Sequence, residues 1–161
     1  MANDTRDEPP ARRPIQRLLH LYWRFARGLT LGVRAAAFDH ANRIVLVKHT
    51  YVPGWHFPGG GVEHGETAHD ALVRELREEA LIELKGEARL HAVYLNRNAS
   101  QRDHVLLYVA RDFEFVDLKR REFEIADVQA FPLDALPADA TRSTRVRLEE
   151  IATGRTPALI W

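Results

Sequence analysis

The sequence has no cysteine, no net charge and no long apolar run, and each absence removes a class of function. With no cysteine in 161 residues, disulfides, thiolate zinc sites and a cysteine nucleophile are excluded. Lys plus Arg and Asp plus Glu both number 23, so no global charge points to a nucleic-acid partner. Apolar stretches stop short of the roughly 18 to 20 residues that span a bilayer, because Arg17, His20, Arg24 and Arg27 break the greasiest segment. Arg12 and Arg13 are followed by no uninterrupted apolar segment of an export signal, and the cytoplasm is the expected location. Internal repeats and low-complexity tracts are also missing. What is present is ordinary for a soluble domain: 45% hydrophobic and 29% charged residues, enough for one core.

Residues 1–13 carry charge and proline with little to bury and read as a disordered tail. From Pro14, the residues Ile15, Leu18, Leu19, Tyr22, Trp23, Phe25, Ala26 and Leu29 recur on one side at 3.6 per turn, opposite Arg17, His20, Arg24 and Arg27. An amphipathic helix is expected over 14–29, with Pro14 opening it and Gly28 near its end. Residues 11–34 hold six arginines and no acid. Such a basic face fits packing on the domain itself or on a second copy in a homodimer, with a membrane surface as the less favoured partner.

The remaining domain spans 30–161. Leu31–Phe38 and Arg43–Lys48 read as strands joined by the polar turn Asp39–Asn42, a predicted hairpin. Five of the nine glycines lie between Gly54 and Gly65, which demands tight or left-handed turns. Thr67 to Asp70 resembles a capping box opening a helix that runs to about Ala80. Further strands are expected near 88–96, 104–113 and 125–131, and a last helix near 141–153. These elements make a single mixed α/β domain, a mixed sheet packed between helices.

On the predicted helix, Glu75, Glu78 and Glu79 are spaced i, i+3, i+4 and share one face. Like charges at this spacing destabilise an isolated helix by roughly 0.2 to 0.5 kcal/mol per pair, so a cation is expected opposite them. Carboxylates, with backbone carbonyls of the glycine turn and without imidazole or thiolate, suit Mg²⁺ or Mn²⁺. The chemistry implied is metal-assisted attack of water on a phosphate. The three glutamates taken alone also fit a solvated helix face with ordinary i, i+4 pairs. Leu72, Leu76 and Ala80 on the adjoining arc would seat the helix on a core.

The full spacing decides between them. Gly60, Glu66 after five residues, and Arg74-Glu75-Leu76-Arg77-Glu78-Glu79 after seven more match the Nudix box GX5EX7REUXEEXGU, with U aliphatic. Trp55-His-Phe-Pro-Gly-Gly60 is similar to the segment leading into that box, and the chain resembles a Nudix hydrolase. Leu81 departs from the pattern at its second glycine, just past the helix. The resemblance implies an α/β/α sandwich and a divalent-metal-dependent hydrolase of a nucleoside diphosphate linked to another group. It implies metal ligation by Glu75, Glu78, Glu79 and the Gly59 carbonyl, with Arg74 holding a glutamate and with Gly60 and Glu66 structural. Glu75 is the first candidate for general base, with Glu122 and Glu124 as loop candidates.

Substrate contacts are expected from Tyr51, Trp55 and His56, which could stack on a base, and from Arg97 and Arg102, which could neutralise phosphate. Core packing is the competing reading for the aromatics. His49 could also reach a phosphate, while His64 and His69 read as surface residues. The proline and tyrosine that mark ADP-ribose and dinucleoside-polyphosphate members are absent from Asn96–Gln101. A Nudix domain that binds a nucleotide-like effector without hydrolysing it is the alternative, disfavoured because a binding module has no need of three mutually repelling carboxylates.

Overall fold

The computed structural model describes residues 28–116 and 124–161. The predicted tail, the helix up to residue 27 and Glu122 lie outside the described residues. In chain order the elements are β1 (Thr30–Phe38), β2 (Ile44–His49), β3 (Trp55–His56), α1 (Ala68–Ala80), β4 (Ile82–Leu84), β5 (Arg89–Leu95), β6 (Asp103–Ala110), β7 (Phe113–Phe115), β8 (Ile125–Phe131) and α2 (Arg142–Thr153). A mixed sheet runs β3-β2-β1-β6-β5 with β8 also paired to β2, and β4 and β7 form a small second sheet. Against expectation, the segment 104–113 is divided: β6 ends at Ala110, and Phe113 starts a separate strand that pairs with β4.

The alternation of β1 assigns its two faces. Val33, Ala35 and Ala37 pack with Val45 and Val47 against Ala71, Leu72, Leu76 and Ala80 of α1. Ala36, Phe38, Ile44, Leu46, Phe57 and Tyr94 form the opposite core, which Leu148 of α2 closes. The sheet therefore lies between two helices, as expected.

The predicted hairpin forms only at its tip. Asp39 organises the turn, its Oδ1 accepting from the amides of Ala41 (3.0 Å) and Arg43 (2.8 Å). Beyond the pairs Ala37–Val45 and Phe38–Ile44 the strands part. β1 pairs along its length with β6, in parallel. On its other edge the glycine loop takes the place of β2: Ala35 N donates to Pro58 O, Val33 N to Gly60 O and Val62 N to Leu31 O, each at 2.9 Å. A Cβ on Gly59 would lie 2.2 Å from Val33 O, and its φ of 138° is open to glycine alone. This close approach delivers the loop to the flank of α1.

Both ends of α1 are capped. Thr67 Oγ1 accepts from Asp70 N at 3.1 Å. Leu81 takes the left-handed conformation (φ 56°, ψ 37°), its amide donating to Leu76 O, so the helix ends in the same backbone form that a glycine would supply. At the far edge of the sheet, Leu95 exchanges hydrogen bonds with Leu159 and Trp161. Beneath this clasp Arg147 and Glu150, 3% and 1% exposed, are paired at 3.0 Å. Tyr94 Oη and Ala158 N both donate to Glu150.

Candidate active site

Gly59–Gly61 and α1 line a polar cleft of about 470 Å³ together with Arg34, His49, Tyr51 and Glu124. Glu75, Glu78 and Glu79 all line it, together with Gly59 and Gly60. Glu79 is 8% exposed and bonds the loop to the helix, its Oε2 accepting from Gly59 N at 2.7 Å. Arg74 makes a two-pronged contact with Glu66, Nε to Oε1 at 2.9 Å and Nη2 to Oε2 at 3.1 Å. Its Nη1 reaches Glu75 Oε1 at 2.7 Å and Glu78 Oε2 at 3.3 Å, and Nη2 reaches Gly61 O at 3.1 Å. Glu66 also accepts from Glu63 N at 3.0 Å. One guanidinium thus ties the loop to two helix carboxylates through charge-assisted bonds.

Burial raises the Glu75 carboxyl above the ordinary carboxylate range, while Arg74 pulls it back and Glu78 adds to the rise. Glu66 is held below that range by its hydrogen bonds from Arg74. His49 is pushed down to about 4 by burial, with Arg34 and His56 adding to the effect. Its ring is neutral at physiological pH, and Nδ1 is buried without a hydrogen-bond partner, 3.8 Å from Glu79 Oε1.

The sequence-based set divides here. Gly59, Gly60, Arg74, Glu75, Glu78, Glu79, Glu124 and Tyr51 all line the cleft. Trp55 does not: it is 6% exposed in the α2-side core, edge-to-face with Phe131 at 4.8 Å. On β3, alternation turns its ring inward, and an indole of that area is held by the core. Arg97 is exposed in the turn between β5 and β6 and is no part of the cleft lining, nor is Arg102. His56 bonds Pro53 O through Nε2 at 3.0 Å. Arg34 is the residue that the motif did not indicate. Its Nη1 donates to Gly59 O, and to Phe57 O at 3.4 Å. The available signal was a single charge in the otherwise apolar run Leu31–Phe38.

Among the described residues no three acidic or imidazole side chains converge as a finished metal cage. The donor chemistry nonetheless fits a hard divalent ion: three carboxylates and a glycine carbonyl border one cleft, and that carbonyl already carries a cation, the Arg34 guanidinium. No helix among the described residues is long and apolar enough to cross a membrane.

Comparison with known proteins agrees with this geometry. A curated relative, the "Putative 8-oxo-dGTP diphosphatase" of Bacillus subtilis (strain 168), is 44% identical over 50 residues, 31% of this chain and 34% of that protein. The match thus spans about a third of the relative's length. A MutT NUDIX hydrolase of Burkholderia pseudomallei superposes with a TM-score of 0.65 at 29% identity, covering 77% of this chain and 98% of that one. A UDP-X diphosphatase superposes at 0.58 with 25% identity, covering 88% and 72%. The sequence profile of the NUDIX domain matches residues 28–150, and the chain belongs to that family.

Proposed function

We propose that the protein is a divalent-metal-dependent pyrophosphohydrolase acting on a nucleoside diphosphate linked to a further group, with Mg²⁺ or Mn²⁺ as cofactor and the cytoplasm as its place of action. The observation that carries this reading is that Glu75, Glu78, Glu79 and Gly59 line one polar cleft. The names of the relatives, an 8-oxo-dGTP diphosphatase and a UDP-X diphosphatase, support a nucleoside phosphate anhydride as the substrate class.

Glu75, Glu78, Glu79 and the Gly59 carbonyl would hold the ion, which would supply positive charge to phosphate oxygens and acidity to a nearby water. The remaining work falls to the chain. Glu75, whose carboxylate lines the cleft beside Gly60, takes the proton from the attacking water. Arg74 fixes the direction of that carboxylate through the 2.7 Å bond. Glu124, which also lines the cleft, is the second candidate for the proton. Tyr51, 65% exposed at the rim, offers a face on which a nucleobase can stack.

The test is turnover by EDTA-stripped protein before and after addition of Mg²⁺ or Mn²⁺, with nucleoside triphosphates, nucleotide sugars, ADP-ribose and dinucleoside polyphosphates as substrates. Metal-restored cleavage of at least one supports the reading. Calorimetric binding of one of them without cleavage in either metal would make the protein an effector-binding domain instead.

A further inference from the structure

We propose that Arg34 is the cleft's resident cation: it occupies the Gly59 carbonyl while no divalent ion is bound, and passes to a substrate phosphate once the ion takes that carbonyl. This rests on the metal-dependent reading of the cleft. Arg34 would then be a substrate-positioning residue and, in the unliganded protein, a competitor of the metal.

The placement of the residue supports it. Val33 and Ala35, its neighbours on β1, are 0% exposed and Arg34 itself is half-buried, so its charge is partly withdrawn from water and needs compensating partners. The compensation found is two loop carbonyls, those of Phe57 and Gly59, both reached through Nη1. Neither contact is a carboxylate pair of the kind that fixes Arg74. Arg34 lines the same cleft as His49, Tyr51, Glu75, Glu78 and Glu79, within reach of a phosphate held there.

Two cations cannot share one carbonyl at contact distance without strong repulsion. Arrival of a divalent ion at Gly59 O therefore releases a guanidinium whose planar fork of donors matches phosphate oxygens. The movement needs side-chain rotation only, because β1 is fixed by its full-length pairing with β6. The phosphate-bound and carbonyl-bound positions of Arg34 are thus alternatives, selected by the metal.

The experiment measures Mn²⁺ affinity without nucleotide, by the electron paramagnetic resonance of free Mn²⁺, for wild type, Arg34→Gln and Arg34→Lys. Arg77→Gln serves as a control for loss of a charge elsewhere on α1. Arg34→Gln is expected to bind Mn²⁺ about tenfold more tightly, the scale of one charge-assisted hydrogen bond. Arg77→Gln is expected to stay within about twofold, as a screened surface charge should. With the cleaved substrate, Arg34→Gln should raise KM about tenfold with kcat little changed, the signature of a lost binding contact.

In the wild-type protein, Mg²⁺ titration without nucleotide should shift one arginine Nε–H resonance, the one missing from the Arg34→Lys spectrum. This readout stands even if the glutamine variant does not fold. Unchanged or weaker Mn²⁺ binding by Arg34→Gln, or an Arg34 resonance that stays put at saturating Mg²⁺, overturns the proposal while leaving the metal site intact. Failure of every form to bind Mn²⁺ instead overturns the metal-dependent reading beneath it.

Discussion

Gly60→Ala is the smallest change that reaches the centre of the site. Gly60 lies outside the left-handed region, since the glycines with positive φ are 54, 59, 65 and 154, so alanine is acceptable to the backbone. The new methyl would lie 2.3 Å from Glu75 Oε1, 2.6 Å from its Cδ and 2.9 Å from Oε2, where ordinary contact begins at 3.4 Å. Relief needs a carboxylate shift of at least 3.4 − 2.3 = 1.1 Å, enough to break the 2.7 Å bond from Arg74. A misplacement of about 1 Å at a reacting group costs on the order of a hundredfold in rate, about 2.7 kcal/mol of barrier. The displaced atoms are the far end of a flexible side chain on an open cleft, so stability should fall by less than about 1 kcal/mol, a Tm change under about 3 °C for a domain of this size. The assay is steady-state turnover at 25 °C with a circular-dichroism melt alongside. At Gly61 a Cβ meets nothing within 4 Å, and Gly61→Ala should lose at least tenfold less activity. A folded Gly60→Ala protein retaining kcat within threefold of wild type would refute the reasoning, because Glu75 would then have no need of its observed position.

Three further outcomes follow from other parts of the molecule. At Leu81, where the left-handed backbone costs a non-glycine residue about 1 kcal/mol, Leu81→Gly should be more stable than Leu81→Ala by about that amount in urea denaturation; equal stabilities would contradict the strain. His49, with a folded pKa of about 4 against 6.5 unfolded, contributes stability that is complete above pH 6.5 and is lost as pH falls towards 4. Its ceiling is about 3 kcal/mol, and the Tm of His49→Gln should be flatter than wild type across that window in metal-free buffer; parallel profiles would exclude the histidine. Glu150→Ala leaves the Arg147 charge buried and should cost about 3 to 5 kcal/mol in denaturant, with faster amide exchange at residues 95 and 161, whose N–H groups close the clasp. A loss below 1 kcal/mol would mean that the clasp is held without the pair.

The sequence was most legible where local chemistry determines the outcome. Thr67 caps α1 as its hydroxyl predicts, the 125–131 strand has its expected bounds, and the i, i+3, i+4 glutamates share a cleft because helical spacing leaves no alternative. Pairing was less legible. Asp39–Asn42 makes the expected turn, but whether β1 then pairs with β2 or with the glycine loop depends on a loop 20 residues away, which Gly59 alone admits to the edge of β1. Trp55 and Arg97 show the same limit at the site. An aromatic beside a glycine loop faces either core or cleft according to strand phase, and Arg97 sits exposed in the β5–β6 turn, outside the cleft lining. Arg34 was hidden for the opposite reason: it belongs to no motif, and only the approach of the loop to β1 makes its position meaningful. The departure at Leu81 proved conformationally silent, because leucine there adopts the glycine-like turn at a modest energetic cost.

The most direct test of the central claim is mass-spectrometric detection of products from a mixed nucleotide panel with Mg²⁺ or Mn²⁺, comparing wild type with Glu78→Gln/Glu79→Gln. The account predicts metal-dependent products that identify the phosphate bond cut and that disappear in the double variant while its fold persists. Equal product formation by the folded double variant would contradict it, since hydrolysis would then not depend on the carboxylates that line the cleft.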